Sequence, residues 1–255
     1  SSVVREAAVL TLTEQRARSY SKAMLPLTGD TEPKVARAAF SALAVMAGEN
    51  ELSDLISSAL GATDKQFRKS VSETIFSAAQ RLENRRKMAS QLLSATKDTD
   101  VDRRIWALSM LPAAGGAAAL EASTAFSASS DSNVRETAVR ALAAWPDAGA
   151  LPVLLDIASK GSPDNLRVIS LRGAIRLLRE SDLPSNRRLE AYGQALKAAP
   201  GKDEKTLVLG GLSEMRETGA IELIIPLLER DDTRQEAALA IARIACPKEG
   251  SGPAL

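Results

Sequence analysis

Val134-Arg135-Glu136-Thr137-Ala138-Val139-Arg140-Ala141-Leu142 decides the fold, because the chain writes variants of this stretch about eight times. The position of Arg135 recurs at Arg5, Ala36, Arg68, Arg104, Arg167, Lys205 and Arg234, with successive spacings of 31, 32, 36, 31, 32, 38 and 29 residues. Such a period signals stacked units, each too small to bury its apolar face alone. Within the stretch, Val134, Ala138, Ala141 and Leu142, continued by Trp145, fall on one helical face. Glu136, Arg140 and Ala143 fall opposite. The last copy repeats the apolar face with Ala237, Ala238, Ile241 and Ile244.

Each recurring helix (B) is preceded by a second amphipathic segment (A). The A helices are expected at 14–27, 49–61, 84–96, 117–127, 147–159, 185–199 and 219–229. The B helices are expected at 33–47, 66–82, 101–112, 132–145, 165–179, 203–216 and 233–245. An unpaired helix at 3–13 precedes these seven pairs, and 247–255 reads as a flexible tail. The fold class is therefore all-α, one array of stacked helix pairs across 1–246. The A–B turns carry Asp30, Asp64, Asp100, Asp131, Asp164, Asp203, and Asp231 with Asp232, each able to cap the following helix. Pro33 sits where a first-turn proline is tolerated. Gly48, Pro112 with Gly115-Gly116, Pro146 and Gly219 are expected to stop helices on the other side.

Composition narrows the function. Aromatic residues are only 3% of 255, which fits thin helical layers of Ala and Leu better than a sheet core. The 33 basic and 32 acidic residues leave a net charge of +1, so no global field draws nucleic acid or an acidic membrane. Histidine is absent, which excludes His-based acid/base catalysis, Ser-His-Asp triads and most zinc sites. The single Cys246 forms no intramolecular disulfide; ending an apolar helix, it is expected to be buried and inert. No apolar run approaches the roughly 20 residues of a membrane span. Gly115-Gly116 and Gly210-Gly211 lack the spacing and Lys-Ser/Thr of a phosphate loop; they read as a turn and a close helix contact. No cofactor and no metal is expected.

The run Ile221-Glu222-Leu223-Ile224-Ile225-Pro226-Leu227-Leu228-Glu229, then Asp231-Asp232, then Arg234-Gln235-Glu236-Ala237-Ala238-Leu239-Ala240-Ile241, resembles a HEAT repeat. Leu25-Pro26-Leu27 and Leu151-Pro152-Val153 carry the same mid-helix proline. Asp64/Arg68, Asp100/Arg104 and Asp131/Arg135 match the family's turn acid followed four residues later by a helix arginine. The sequence departs from the pattern at Ala36, at Lys205, and in the longer repeats near 84–104 and 185–205. Ala141-Leu142-Ala143-Ala144-Trp145-Pro146-Asp147, Leu171-Arg172-Gly173 and Lys205-Thr206-Leu207-Val208-Leu209-Gly210-Gly211-Leu212 resemble HEAT arrays of large bacterial multidomain proteins. Some of those are envelope or secreted proteins with carbohydrate-active domains, which implies a periplasmic or extracellular setting and a spacer or accessory role.

The resemblance implies that the Asp–Arg pairs form a structural ladder between repeats; a charged ligand cradle is the competing reading. It also implies a right-handed α–α superhelix whose B helices line the concave surface. Arg140, Arg172 and Arg176, joined by Arg103 or Arg104, then form a basic patch in the middle repeats, with Glu136 and Glu180 partly neutralising it. Guanidinium forks there suit carboxylates and phosphates. Trp106 and Trp145 are either binding anchors or core, and Trp145 is in phase with the core face. Tyr20 and Tyr192 read as amphipathic fillers. Both ends are apolar, with Val3, Val4, Val9, Leu10 and Leu12 at one and Leu239, Ile241 and Ile244 at the other. That implies further repeats or domains on the N-terminal side, or a subunit contact. The leading functional expectation is a non-catalytic scaffold for a protein or peptide; nucleic acid is disfavoured by charge and by the few aromatics.

Overall fold

The computed structural model describes residues 1–98, 100–160 and 164–246. The expected tail at 247–255 lies outside the described residues. Every regular element among the described residues is helical. The chain divides into two compact units, residues 1–125 and 126–255.

In the first unit the α-helices are α1 Ser2–Glu14, α2 Ser21–Met24, α3 Pro33–Met46, α4 Glu49–Gly61, α5 Lys65–Ala79, α6 Arg86–Ala95 and α7 Val101–Ala114, with α8 Ala117–Phe126 at its end. The B helices α1, α3, α5 and α7 pack each on the next, and α4 packs on α6 in the A layer. Each A helix also packs on its own B partner, α2 on α3, α4 on α5 and α6 on α7. Two layers of helices with an apolar seam between them follow directly from the one-third apolar face of each helix.

The second unit repeats the plan with α9 Ser132–Ala143, α10 Leu151–Ser159, α11 Asp164–Glu180, α12 Ser185–Ala198, α13 Lys202–Leu212, α14 Thr218–Ile224 and α15 Arg234–Ala245. Here α9, α11, α13 and α15 form the B layer and α10, α12 and α14 the A layer. Val134, Ala138, Ala141, Leu142 and Trp145 are all buried, as their common face requires. In α15 the face is only half used. Ala237 and Ile244 are buried, Ala238 and Leu239 are exposed, and Ile241 is half-buried. At the other end of the chain Val9 is buried while Val3, Val4 and Leu10 are exposed.

Two local expectations are corrected. The A segment at 14–27 is not one helix: α1 runs to Glu14, Arg16 takes a left-handed φ of 47°, and 3-10 turns at Arg18–Tyr20 and Pro26–Gly29 flank the short α2. Proline is the cause of the second break, since it has no N–H to continue the hydrogen-bond series. Pro226 likewise falls within a 3-10 segment, Ile225–Glu229, and Pro152 is the second residue of α10, where its missing N–H costs nothing. Pro112 does not end its helix. It sits in the last turn of α7, which continues to Ala114 and is stopped by Gly115 and Gly116 at φ 65° and 83°. Only glycine adopts that backbone without strain.

Three turn acids cap as their chemistry predicts. The Asp64 carboxylate accepts from Gln66 N–H at 2.8 Å, that of Asp100 from Asp102 and Arg103 N–H, and that of Asp131 from Asn133 and Val134 N–H. Asp203 instead lies inside the first turn of α13. Asp30 is held by the preceding repeat: Arg5 Nε and Nη2 donate to its two oxygens at 2.8 and 2.9 Å.

Candidate functional site

The arginines of this chain divide into those that close backbone carbonyls, those that pair with acids, and a few that do neither. Arg68 Nη2 donates to the Ala62 carbonyl at 2.6 Å and its Nε to that of Ala59 at 3.0 Å. Arg104 donates twice to the Asp98 carbonyl, Arg135 to that of Ser129, and Arg234 to that of Leu228. In all four the carbonyl is six residues earlier, where the chain leaves helix A or its turn. The geometry follows from orphan carbonyls at a helix C-terminus meeting a cationic fork on the next helix. Asp64, Asp100 and Asp131 therefore cap helix B while Arg68, Arg104 and Arg135 close the A–B turn. Acid and arginine share the task without pairing with each other.

The four expected patch residues separate in the same way. Arg140 is exposed and forms a two-pronged contact with Glu136 Oε1 on its own helix, at 2.9 and 2.7 Å. Asn165 Nδ2 reaches the other Glu136 oxygen at 3.5 Å. Arg176 donates to the Ala143 carbonyl at 3.0 Å and to that of Trp145 at 2.6 Å, and pairs with Glu180 through Nη1. It thus ties the end of α9 to α11. Arg103 belongs to the first unit, where it lies 3.6 Å from Asp98 and 3.8 Å from Asp100. Only Arg172 is exposed on α11 with no hydrogen-bond or ion-pair partner among the described residues.

Arg172 and Leu207 are shared by two adjoining grooves between α11 and α13. One, of about 330 Å³, is walled by Val168, Asp203, Glu204 and Thr206. The other, of about 490 Å³, is walled by Ile175, Arg176, Arg179, Glu180 and Glu214. Arg179 grips Glu214 with Nε and Nη2 at 2.8 and 2.5 Å. The sequence pattern singles out neither Arg179 nor Glu214, and Leu207 only as part of the 205–212 run. The Arg179–Glu214 pair spans 35 residues and the long A segment at 185–199, so no local pattern announces it. The arrangement offers one free guanidinium beside a leucine, in a setting whose other arginines are already neutralised.

Trp106 and Trp145 are buried, and Trp106 Nε1 donates to Ser72 Oγ at 3.0 Å, so both are core. Tyr20 is 54% exposed, whereas Tyr192 is fully buried, and that burial pushes its phenol pKa up. Cys246 corrects the expectation of burial: it lies just beyond α15 and is exposed. Among the described residues no helix is long and apolar enough to cross a membrane.

A family match over part of the chain agrees with the helical-repeat reading. Residues 89–172 match a family described as HEAT repeats. No curated protein matches the chain. Among solved structures, the crystal structure of an engineered protein aligns at 17% identity and TM-score 0.43, covering 88% of this chain and 96% of that one. The complex of CpcE and CpcF of phycocyanin lyase from Nostoc sp. PCC7120 aligns at 18% identity and TM-score 0.43, covering 88% and 87%.

Proposed function

We propose that this helical-repeat chain is a non-catalytic scaffold that holds a protein or peptide segment on the B-helix face of residues 126–255, with Arg172 as the anchoring cation. The observation that supports this reading is the contrast between Arg172 and its neighbours. Arg140, Arg176 and Arg179 each spend their donors on an acid or a carbonyl, while Arg172 stands free between two grooves. A free fork beside an apolar side chain suits a carboxylate flanked by an aliphatic residue. The acids of the larger groove are paired with arginines, the smaller groove holds Asp203 and Glu204 from the first turn of α13, and histidine is absent from the chain. A net charge of +1 also favours a protein partner over a polyanion.

The test is a peptide array probed with the wild-type protein, Arg172→Glu and Arg140→Glu. The expected result is retention of peptides with Asp or Glu beside Leu or Ile, lost in Arg172→Glu and kept in Arg140→Glu. Identical patterns for wild type and Arg172→Glu would remove the α11–α13 face from consideration.

A further inference from the structure

The one repeat with no cation at the recurring position has a groove beside that position. Ala36 stands at that position in α3. Arg68, Arg104, Arg135 and Arg234 all cross to a carbonyl six residues back, filling the space between B helix and turn. A methyl group cannot do so. Here the turn is secured from the other side instead, by Arg5 of α1 on Asp30, whose side chain is only 9% exposed. The space freed at Ala36 opens into a groove of about 590 Å³ between α3 and α5, within the first unit.

The groove has an aromatic floor. Phe40 of α3 and Phe67 of α5 meet edge to face, with centroids 5.8 Å apart and planes at 63°. These are half of the four phenylalanines in the chain, and both are only half-buried. The volume falls in the range of small-ligand sites, about 300–1,000 Å³, which are apolar with a few placed polar groups. Those groups are Thr28, Ser41, Gln66, Ser70, Thr74 and the charges Arg37, Asp64 and Glu73. Asp64 is engaged as the α5 cap, and Glu73 lies 3.9 Å from Lys69 Nζ. Arg37 is exposed. Of the three charged side chains lining the groove, Arg37 alone has neither a hydrogen bond nor an ion pair among the described residues.

We infer that the α3–α5 groove is a second binding site, separate from the α11–α13 face, that takes an apolar side chain on Phe40 and Phe67 and a neighbouring carboxylate on Arg37. Its occupant is a peptide segment with an aliphatic residue beside an acid or at a free C-terminus. The site lies where Ala36 stands in place of the arginine, so an arginine restored there is expected to fill it without disturbing the stack. It does not depend on Arg172 or on the function proposed for that face.

N-acetyl-leucine supplies both elements in a minimal probe, and N-acetyl-leucinamide supplies only the apolar one. Binding is followed by NMR on the whole chain, reading the Phe40 and Phe67 ring signals and the Arg37 Nε–H. The acid is expected to shift these signals and the amide to bind about tenfold more weakly, the effect of one charge-assisted hydrogen bond. Arg37→Gln should bring the acid down to the level of the amide. Ala36→Arg should lose both probes while keeping the wild-type helical spectrum, and Arg172→Glu should change nothing. Equal binding of acid and amide overturns the inference. So does tighter binding of N-acetyl-lysinamide, which would assign the groove to Asp64 and Glu73, or shifts that avoid the two rings up to the solubility limit of the probes.

Discussion

Arg68 reaches back over the A–B turn to Ala62, its Nη2 lying 2.6 Å from the carbonyl oxygen, while Asp64 between them turns away to cap Gln66. An acid and an arginine four residues apart look like an ion pair in sequence; in the fold they secure opposite helix ends. Asp64→Ala should cost about 1 kcal/mol, the value of an N-cap. Arg68→Met should cost about 1.5–3 kcal/mol, for two charge-assisted bonds to carbonyls left without donors. Independent roles imply near-additivity, within about 0.5 kcal/mol, in the double variant. Urea denaturation of the four proteins measures this. A coupling well above that value would restore the ion pair.

Three arginines of the expected patch, Arg140, Arg172 and Arg176, should behave as three different residues. Arg172→Ala removes no partner and should leave stability within about 0.5 kcal/mol of wild type. Arg140→Ala loses an exposed pair one turn apart with Glu136, about 0.3–0.5 kcal/mol. Arg176→Ala strips donors from the Ala143 and Trp145 carbonyls and should cost about 1–3 kcal/mol. Thermal denaturation gives the order. A large loss on Arg172→Ala would show that its side chain packs rather than waits for a partner.

How far the sequence carries is visible in these same residues. The helix pairs are legible because a 3.6-residue apolar face and a repeat period survive any substitution that keeps polarity. The caps at Asp64, Asp100 and Asp131 are legible because an aspartate bonds its own backbone two residues on. The arginine contacts are not. A long cation can reach an acid on its own helix, as Arg140 does, an acid one repeat away, as Arg179 does on Glu214, or a carbonyl, as Arg176 does. Which it reaches depends on the packing of neighbouring repeats, and Arg172 is free only because of those choices. Cys246 fails for a simpler reason: helical phase places it on α15, but the helix ends at Ala245.

Asp30 makes part of the stability depend on acid. The Arg5 guanidinium, and after it the Glu32 N–H, hold the Asp30 carboxyl below the usual carboxylate range. The unfolded chain therefore takes up a proton before the folded one as pH falls. The contribution is complete above about pH 4, the ordinary range of an aspartate, and disappears as pH falls through the depressed value. Glu236, lowered first by its bond from Lys202, acts in the same direction in the second unit. Asp30→Asn should thus lower stability at pH 7 and show a shallower loss between pH 4 and 2, followed by helix content in acid titrations. An unchanged acid limb would mean that Asp30 is as solvated folded as unfolded.

Adjacent glycines in α13 should respond in opposite senses. A Cβ on Gly210 meets nothing within 4 Å, so Gly210→Ala gains helix propensity, about 0.5–1 kcal/mol. A Cβ on Gly211 would lie 2.6 Å from Tyr192 Oη and 2.7 Å from its Cε1. That ring is fully buried and has nowhere to swing, so Gly211→Ala should cost about 1–3 kcal/mol as α12 and α13 part. Gly173 is the harder case, since its Cβ would sit 2.6 Å from both Cα and Cβ of Ala143, and backbone cannot rotate away. Gly173→Ala must push α9 and α11 apart along the seam that Arg176 closes, so it should be the most damaging of the three. Urea midpoints give the ranking: Gly210→Ala above wild type, then Gly211→Ala, then Gly173→Ala lowest. A Gly173→Ala protein as stable as wild type would show that the α9–α11 contact is looser than 2.6 Å requires.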